Sequence, residues 1–201
     1  MPTINSIDSN IPIQIALGGT NSTSLSTSSA ILKYNGASLI TSLSAKIDNT
    51  TNFYTNTKQP CFLAYASLQS NVTGDATNYT VLFDNEVFDQ GNNYDGTSTF
   101  TAPVTGKYLF FVSIDITGIT SSYTLSSMGI TVVSQSYLSN MLNCYQWSTS
   151  GEYGQDFCVF ANMTAGDTAF CKMYVYGGTK VVNIAAGSSL YRSRFAGVLL
   201  C

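Results

Sequence analysis

Histidine is absent from all 201 residues. That single absence removes Ser-His-Asp and Cys-His catalysis, imidazole metal sites and histidine pH switches. Charge is nearly as scarce, with Asp, Glu, Lys and Arg at 9% against about 25% in ordinary soluble domains. The formal balance is −3 with no basic cluster, so neither nucleic acid nor an anionic membrane surface is an expected partner. No apolar run approaches the ~20 residues of a helical membrane span, so membrane insertion is not expected either. The opening MPTINSIDSNIPIQIALGG shows neither the basic start nor the apolar centre of a secretory signal. Cysteines number five, at 61, 144, 158, 171 and 201, none of them two or four residues from another. That spacing fits neither a zinc cage nor a disulfide framework. The apolar surroundings of the first four point to buried free thiols, while Cys201 reads as exposed.

Ser, Thr, Asn and Gly take the place of charge, and aromatics reach 12% with 13 Tyr. Neutral hydroxyl and amide surfaces of this kind suit extracellular or surface-exposed scaffolds. Residues 1–57 differ from residues 58–201. The first segment holds a low-complexity tract, Gly19 to Ser29, that cannot bury a core of its own. It also holds two β-prone runs about Asn35-Gly36, a type I′ hairpin signal. We read it as a stem or connector that owes its stability to association with copies of itself; the alternative is a disordered linker.

From residue 58 the pattern is β with Gly-rich punctuation and no amphipathic helix. Strands are expected at Cys61–Ala66, Tyr79–Phe83, Ser98–Thr101, Lys107–Ile116, Met128–Ser136, Asp156–Asn162, Asp167–Tyr176, Val181–Ile184 and Arg194–Leu200. Pro103 and Gly106 set the turn before the strongest of these. That strand is apolar on both faces over its first half, Tyr108 to Val112, and on one face thereafter. The closing strand, RFAGVLLC, is likewise apolar on both faces. A sandwich core uses one face; the other calls for a neighbouring subunit. Tyr108, Leu109, Phe110, Phe111, Phe195, Val198 and Leu200 are the expected interface residues.

Phe83, Asp89, Tyr94, Phe100, Gly106, Tyr108 and Phe110, followed by Gly166-Asp167 and the closing Phe195-Ala-Gly197-Val-Leu199-Leu200, resemble the aromatic signature of C1q-like globular heads. The likeness covers about residues 58 to 200. It departs from the family pattern between Tyr94 and Phe100, one residue short, and at Val112, where the family has an aromatic. The resemblance implies an all-β, ten-stranded jelly-roll β-sandwich of the C1q/TNF type, homotrimeric and non-enzymatic. With the N-terminal stem, it points to a receptor-binding head at the tip of a phage, viral or bacterial fibre. The alternatives are a capsid or surface decoration trimer, and a secreted C1q/TNF-like ligand or lectin.

Two stretches carry candidate sites. Asp84, Glu86, Asp89 and Asp95 cluster in an Asn/Gly-rich loop, where hard oxygens hold Ca²⁺ or simply stand solvated; the spacing matches no EF-hand. No other cofactor is expected. Tyr145, Trp147 and Tyr153 lie among Ser and Gly, the mixture of adaptable binding loops, and flat rings suit stacking on sugars. Tyr123, in a second loop, has a similar claim. The alternative for Trp147 is a core or subunit-interface anchor. Five Asn-X-Ser/Thr sequons, at Asn21, Asn49, Asn71, Asn78 and Asn162, are at chance frequency in so Asn- and Thr-rich a chain.

Overall fold

The computed structural model describes residues 30–34, 39–47, 54–133, 135–138, 142–144, 151–186 and 192–201, with side-chain surroundings for residues 56–133, 143–144, 151–186 and 192–201. The chain divides into two units, Met1–Lys58 and Gln59–Cys201. In the first, β1 (Ala30–Tyr34), β2 (Leu39–Ile47) and β3 (Tyr54–Asn56) form a three-stranded antiparallel sheet in sequence order. The β1–β2 register closes at Tyr34 opposite Leu39; the Asn35-Gly36 turn itself lies outside the described residues.

The second unit is an all-β sandwich of two curled sheets. The larger comprises β4 (Cys61–Tyr65), β5 (Gln69–Thr73), β7 (Asn85–Gln90), β9 (Gly106–Ile119), β13 (Gly151–Met163), β15 (Val182–Ile184) and β16 (Arg194–Leu199). The smaller comprises β6 (Tyr79–Thr80), β8 (Thr99–Thr101), β10 (Leu125–Val132), β11 (Gln135–Leu138), β12 (Leu142–Asn143) and β14 (Thr168–Tyr176). Strand β9 is the spine of the larger sheet. It pairs along its full length with β13 on one side, and with β16 and then β15 on the other.

Period-2 alternation explains the core. Tyr108, Phe110, Val112, Ile114 and Ile116 of β9 all turn inward and are fully buried, facing Met128, Ile130, Cys171 and Met173 of the smaller sheet. At one end the inward side chains are nearly all aromatic. Phe62 stacks on Tyr94 (centroids 4.8 Å apart) and on Phe100 (5.2 Å), and meets Phe195 edge-on at 5.0 Å. Phe83, Tyr108 and Phe110 complete the cluster. Tyr94 carries its hydroxyl into this cluster by donating to the Phe83 carbonyl at 3.0 Å, and burial pushes its ionisation well above the ordinary tyrosine range. The spaced aromatics of the sequence are therefore one object, a single ring stack at one end of the sandwich.

Several boundaries differ from expectation for identifiable reasons. The acidic stretch read as a loop contains an edge strand, β7, paired with β4. Its sequence, NEVFDQ, lacks clean alternation because a bulge between Leu63 and Ala64 leaves Val87 unopposed. The expected strand Met128–Ser136 is two strands, β10 and β11, reversed at Val133. The strand expected over Tyr79–Phe83 is a two-residue ladder, and β5 was not anticipated in polar QSNVT. Gly106 does not adopt a positive φ. A Cβ there would lie 2.6 Å from the Cys201 carbonyl oxygen, which accepts the Lys107 N–H at 2.7 Å. Close approach of the chain end requires the glycine.

Candidate functional site

Directly opposed residues of an antiparallel ladder share a face, so the registers define what the larger sheet presents on its outer side. One row runs Phe160, Leu109, Val198, Cys61 across β13, β9, β16 and β4. The next runs Cys158, Phe111, Ala196, Leu63, Phe88 and reaches β7. Both rows are apolar, and Phe160 and Phe88 stand 69% and 47% exposed in the single chain. The third row, Asp156, Ser113, Arg194, Tyr65, Asn85, is polar. Beyond it Arg192 donates through Nε to Asp115 Oδ2 at 3.2 Å and through Nη2 to Glu152. The Arg194 guanidinium sits 5.2 Å from the centre of the Phe111 ring and marks the border. The face is thus apolar at the end that overlies the ring stack and charged at the other.

This geometry sorts the expected interface residues. Tyr108, Phe110 and Phe195 are fully buried within one chain; alternation turns them inward, so they offer no surface to a second copy. Leu109, Phe111 and Val198 point outward and stay half-exposed, and Leu200, just past β16, is 46% exposed. Phe160, Cys158, Leu63, Ala196 and Phe88 belong to the same face and were missed. The signal was present in β13, where both Phe157/Val159 and Cys158/Phe160 are apolar; only the register shows which pair faces out.

The acidic candidates do not fit a calcium cage. Asp84 Oδ1 accepts the Ser67 N–H at 2.8 Å. Asp89 Oδ2 accepts the Tyr94 N–H at 2.8 Å. Asp95 Oδ1 collects the N–H groups of Thr97, Ser98 and Thr99 at 2.7–3.0 Å. Glu86 is exposed on β7, opposite Ala64. Among the described residues no three acidic or thiol side chains converge where a metal would sit. Asp84, Asp89 and Asp95 hold backbone N–H groups of their loops in place. Burial raises the affinity of Asp95 for a proton, but the three backbone donors outweigh it and hold the carboxyl below its ordinary value.

Of the aromatic candidates, Tyr145 and Trp147 lie outside the described residues. Tyr153 belongs to strand β13, half-buried against the core opposite Ile116. Tyr123 is buried. Its hydroxyl donates to the Thr179 carbonyl at 3.0 Å, and its ring lies so close to Gly178 that a Cβ there would sit 2.3 Å away. Tyr123 is an anchor for the Gly177-Gly178 turn, with no ring face left for a ligand.

The second unit is thus a β-sandwich whose inner faces make the core and whose larger sheet carries a second, apolar outer face. The C1q domain family model matches residues 63–200, and the chain belongs to that family. Members are non-enzymatic ligand-binding or structural proteins. Among solved structures, the globular domain of zebrafish complement 1qA protein is 18% identical, with a TM-score of 0.48 over 71% of this chain and 98% of that one. Murine APRIL, crystallised at pH 5.0, is 11% identical, with a TM-score of 0.49 over 71% of this chain and all of that one. No curated protein matches the sequence. Among the described residues no helix is long and apolar enough to cross a membrane.

Proposed function

We propose that the chain is a homotrimeric receptor-binding head on a short β stem, placed at the tip of a fibre or surface appendage and acting without catalysis. The observation that carries this is the apolar outer face spanning β13, β9, β16, β4 and β7. Leaving five or more large apolar groups on one solvated sheet face is uncommon in a monomer, and burying each Leu or Phe contributes about 1.5–3 kcal/mol. A second and third copy of the chain cover it, the apolar end sealing the contact and the Arg192–Asp115–Glu152 group lying at its polar margin. The stem sheet fits the same reading: a three-stranded sheet needs an apolar face covered to be stable, and further copies of the chain would supply that cover. On this reading the receptor contacts recur threefold, and effective concentration turns weak single sites into firm attachment. The loop bearing Tyr145 and Trp147 is the proposed contact from the sequence.

The test is the mass in solution. Light scattering should return three times the 21.6 kDa chain. Phe111→Glu with Phe160→Glu, both outward and neither in the core, should give a folded monomer. A wild-type monomer would overturn the assembly.

A further inference from the structure

The smaller sheet also has an outer face, and its composition is unlike that of the larger one. Along β14 the outward positions carry Phe170, Lys172, Tyr174 and Tyr176, alternating with the buried Ala169, Cys171, Met173 and Val175. Phe170, Lys172 and Tyr174 are half-exposed, and Tyr176 is 55% exposed. Strand rise places the Phe170 and Tyr174 rings about 13 Å apart. The Lys172 ammonium, midway, leans over the Phe170 ring at 5.3 Å.

The flanks of this stripe are small and neutral. On one side Thr131, Gly129 and Ser127 oppose Phe170, Lys172 and Tyr174; on the other Thr80 opposes Lys172 and Thr99 opposes Phe170. Thr131, Thr80 and Thr99 are half-exposed while Gly129 and Ser127 are buried, so the stripe is open mainly toward β6 and β8. No carboxylate occupies an outward position of β6, β8, β10 or β14. Lys172 is the sole formal charge on those strand positions, and the nearest acid at the Phe170 end, Asp95, is tied up by the Thr97, Ser98 and Thr99 N–H groups. By contrast, the outer face of the larger sheet holds Asp115, Glu152 and Asp156.

We propose that this stripe is a binding site for a carboxylate-bearing glycan. The reading rests on the adhesion head proposed above and names a ligand class and a site for it. The apolar C–H face of a pyranose stacks on Tyr174 or Tyr176, as amphipathic rings allow without losing their own hydration. The sugar carboxylate meets the Lys172 ammonium, which the Phe170 ring already holds in place. The Thr80 and Thr131 hydroxyls, on half-exposed residues beside Lys172 and Phe170, are the polar groups for the sugar hydroxyls. Because the stripe lies on the sheet opposite the apolar face, three copies of it stay open when the trimer forms.

Titration of the full chain with 3′-sialyllactose and with a uronate hexasaccharide, beside lactose and cellohexaose, tests this. At 50 mM salt at least one acidic probe should bind at least tenfold tighter than its neutral counterpart, and which one binds separates a sialic acid from a uronic acid source. Lys172→Met and Tyr174→Ser should each weaken that binding at least tenfold with mass and circular dichroism unchanged, whereas Tyr174→Phe should keep it. Tyr176→Ser, at the most exposed ring, serves in place of Tyr174→Ser if the latter does not fold. Equal affinity for neutral and acidic probes, no binding at millimolar probe, or full binding by the stripe variants would overturn the site. If Trp147→Ala alone abolishes binding to cells and the stripe variants do not, the stripe falls while the head reading stands.

Discussion

Gly197 offers the sharpest test of the ring stack. It lies opposite Phe110 on one neighbouring strand and Phe62 on the other, on the inward face. A Cβ built there would meet Phe62 Cε1 at 2.6 Å and Phe110 Cδ1 at 2.7 Å, about an ångström inside ordinary contact. Neither ring has room to retreat. Phe62 is stacked on Tyr94 and Phe100, and Phe110 is held at 5.6 Å from Phe100 and 5.8 Å from Phe195. Overpacking of this kind costs about 1–3 kcal/mol, and the rigidity of the stack puts Gly197→Ala near the upper end. Restricting the unfolded chain returns about 0.4–1 kcal/mol, so the expected net loss is about 2 kcal/mol. Urea unfolding at one fixed protein concentration should show a lower midpoint with an unchanged slope. Phe110→Leu in the same chain removes one of the clashing edges, so the double variant should lose less than the sum of the singles. A Gly197→Ala protein as stable as the wild type would refute the stacked core.

Two further outcomes follow from side chains already placed. Cys158 and Cys201 are exposed in the single chain, Cys144 and Cys171 are buried, and burial pushes the Cys144 thiol up to about 11 and Cys171 higher still. A thiol reagent at pH 8 should therefore label Cys201 in the trimer, Cys158 only in the Phe111→Glu/Phe160→Glu monomer, and Cys144 and Cys171 only on unfolding. Labelling of Cys158 at full rate in the trimer would show that the outer face is open. For Asp95, a carboxyl held below its ordinary value contributes stability above the unfolded value, about 3.9, and loses it as pH falls through the folded one. Asp95→Ala should be less stable than wild type at pH 7, and the gap should close below pH 4; a gap independent of pH would show that its turn does not use the charge.

The family and its core were legible because the ring stack is built from residues whose spacing survives as a linear pattern. Phe83, Tyr94, Phe100, Tyr108 and Phe110 come from neighbouring segments, so adjacency in sequence carried adjacency in space. The outer face was only half legible. Two apolar sets on β9 and β16 announced a second buried face, but which set faces inward depends on register with β4 and β13, strands more than 30 residues distant in the chain. That is why Tyr108, Phe110 and Phe195 were expected at an interface and lie in the core. The acidic cluster misled for a related reason: Asx-type turns and edge strands use the same Asp and Asn residues as a cation loop, and only hydrogen-bond direction separates them. The Phe170–Tyr176 stripe was hidden because three of its four outward residues are aromatic, so β14 lacks the polar alternation that marks a solvated face.

The entry of the chain into the head has a mechanical consequence. Strand β4 is an interior strand, bonded to β16 on one side and β7 on the other. At its mouth the Gln59 side chain donates to the Leu199 carbonyl at 2.7 Å, Gln90 donates to the Gln59 carbonyl at 2.6 Å, and the Leu199 N–H donates to Pro60. A pull arriving along the chain at Gln59 therefore meets staples on both flanks rather than a free edge that could be peeled away one bond at a time. Extracting that strand means rupturing two ladders together, so a load entering at Gln59 is shared between β16 and β7.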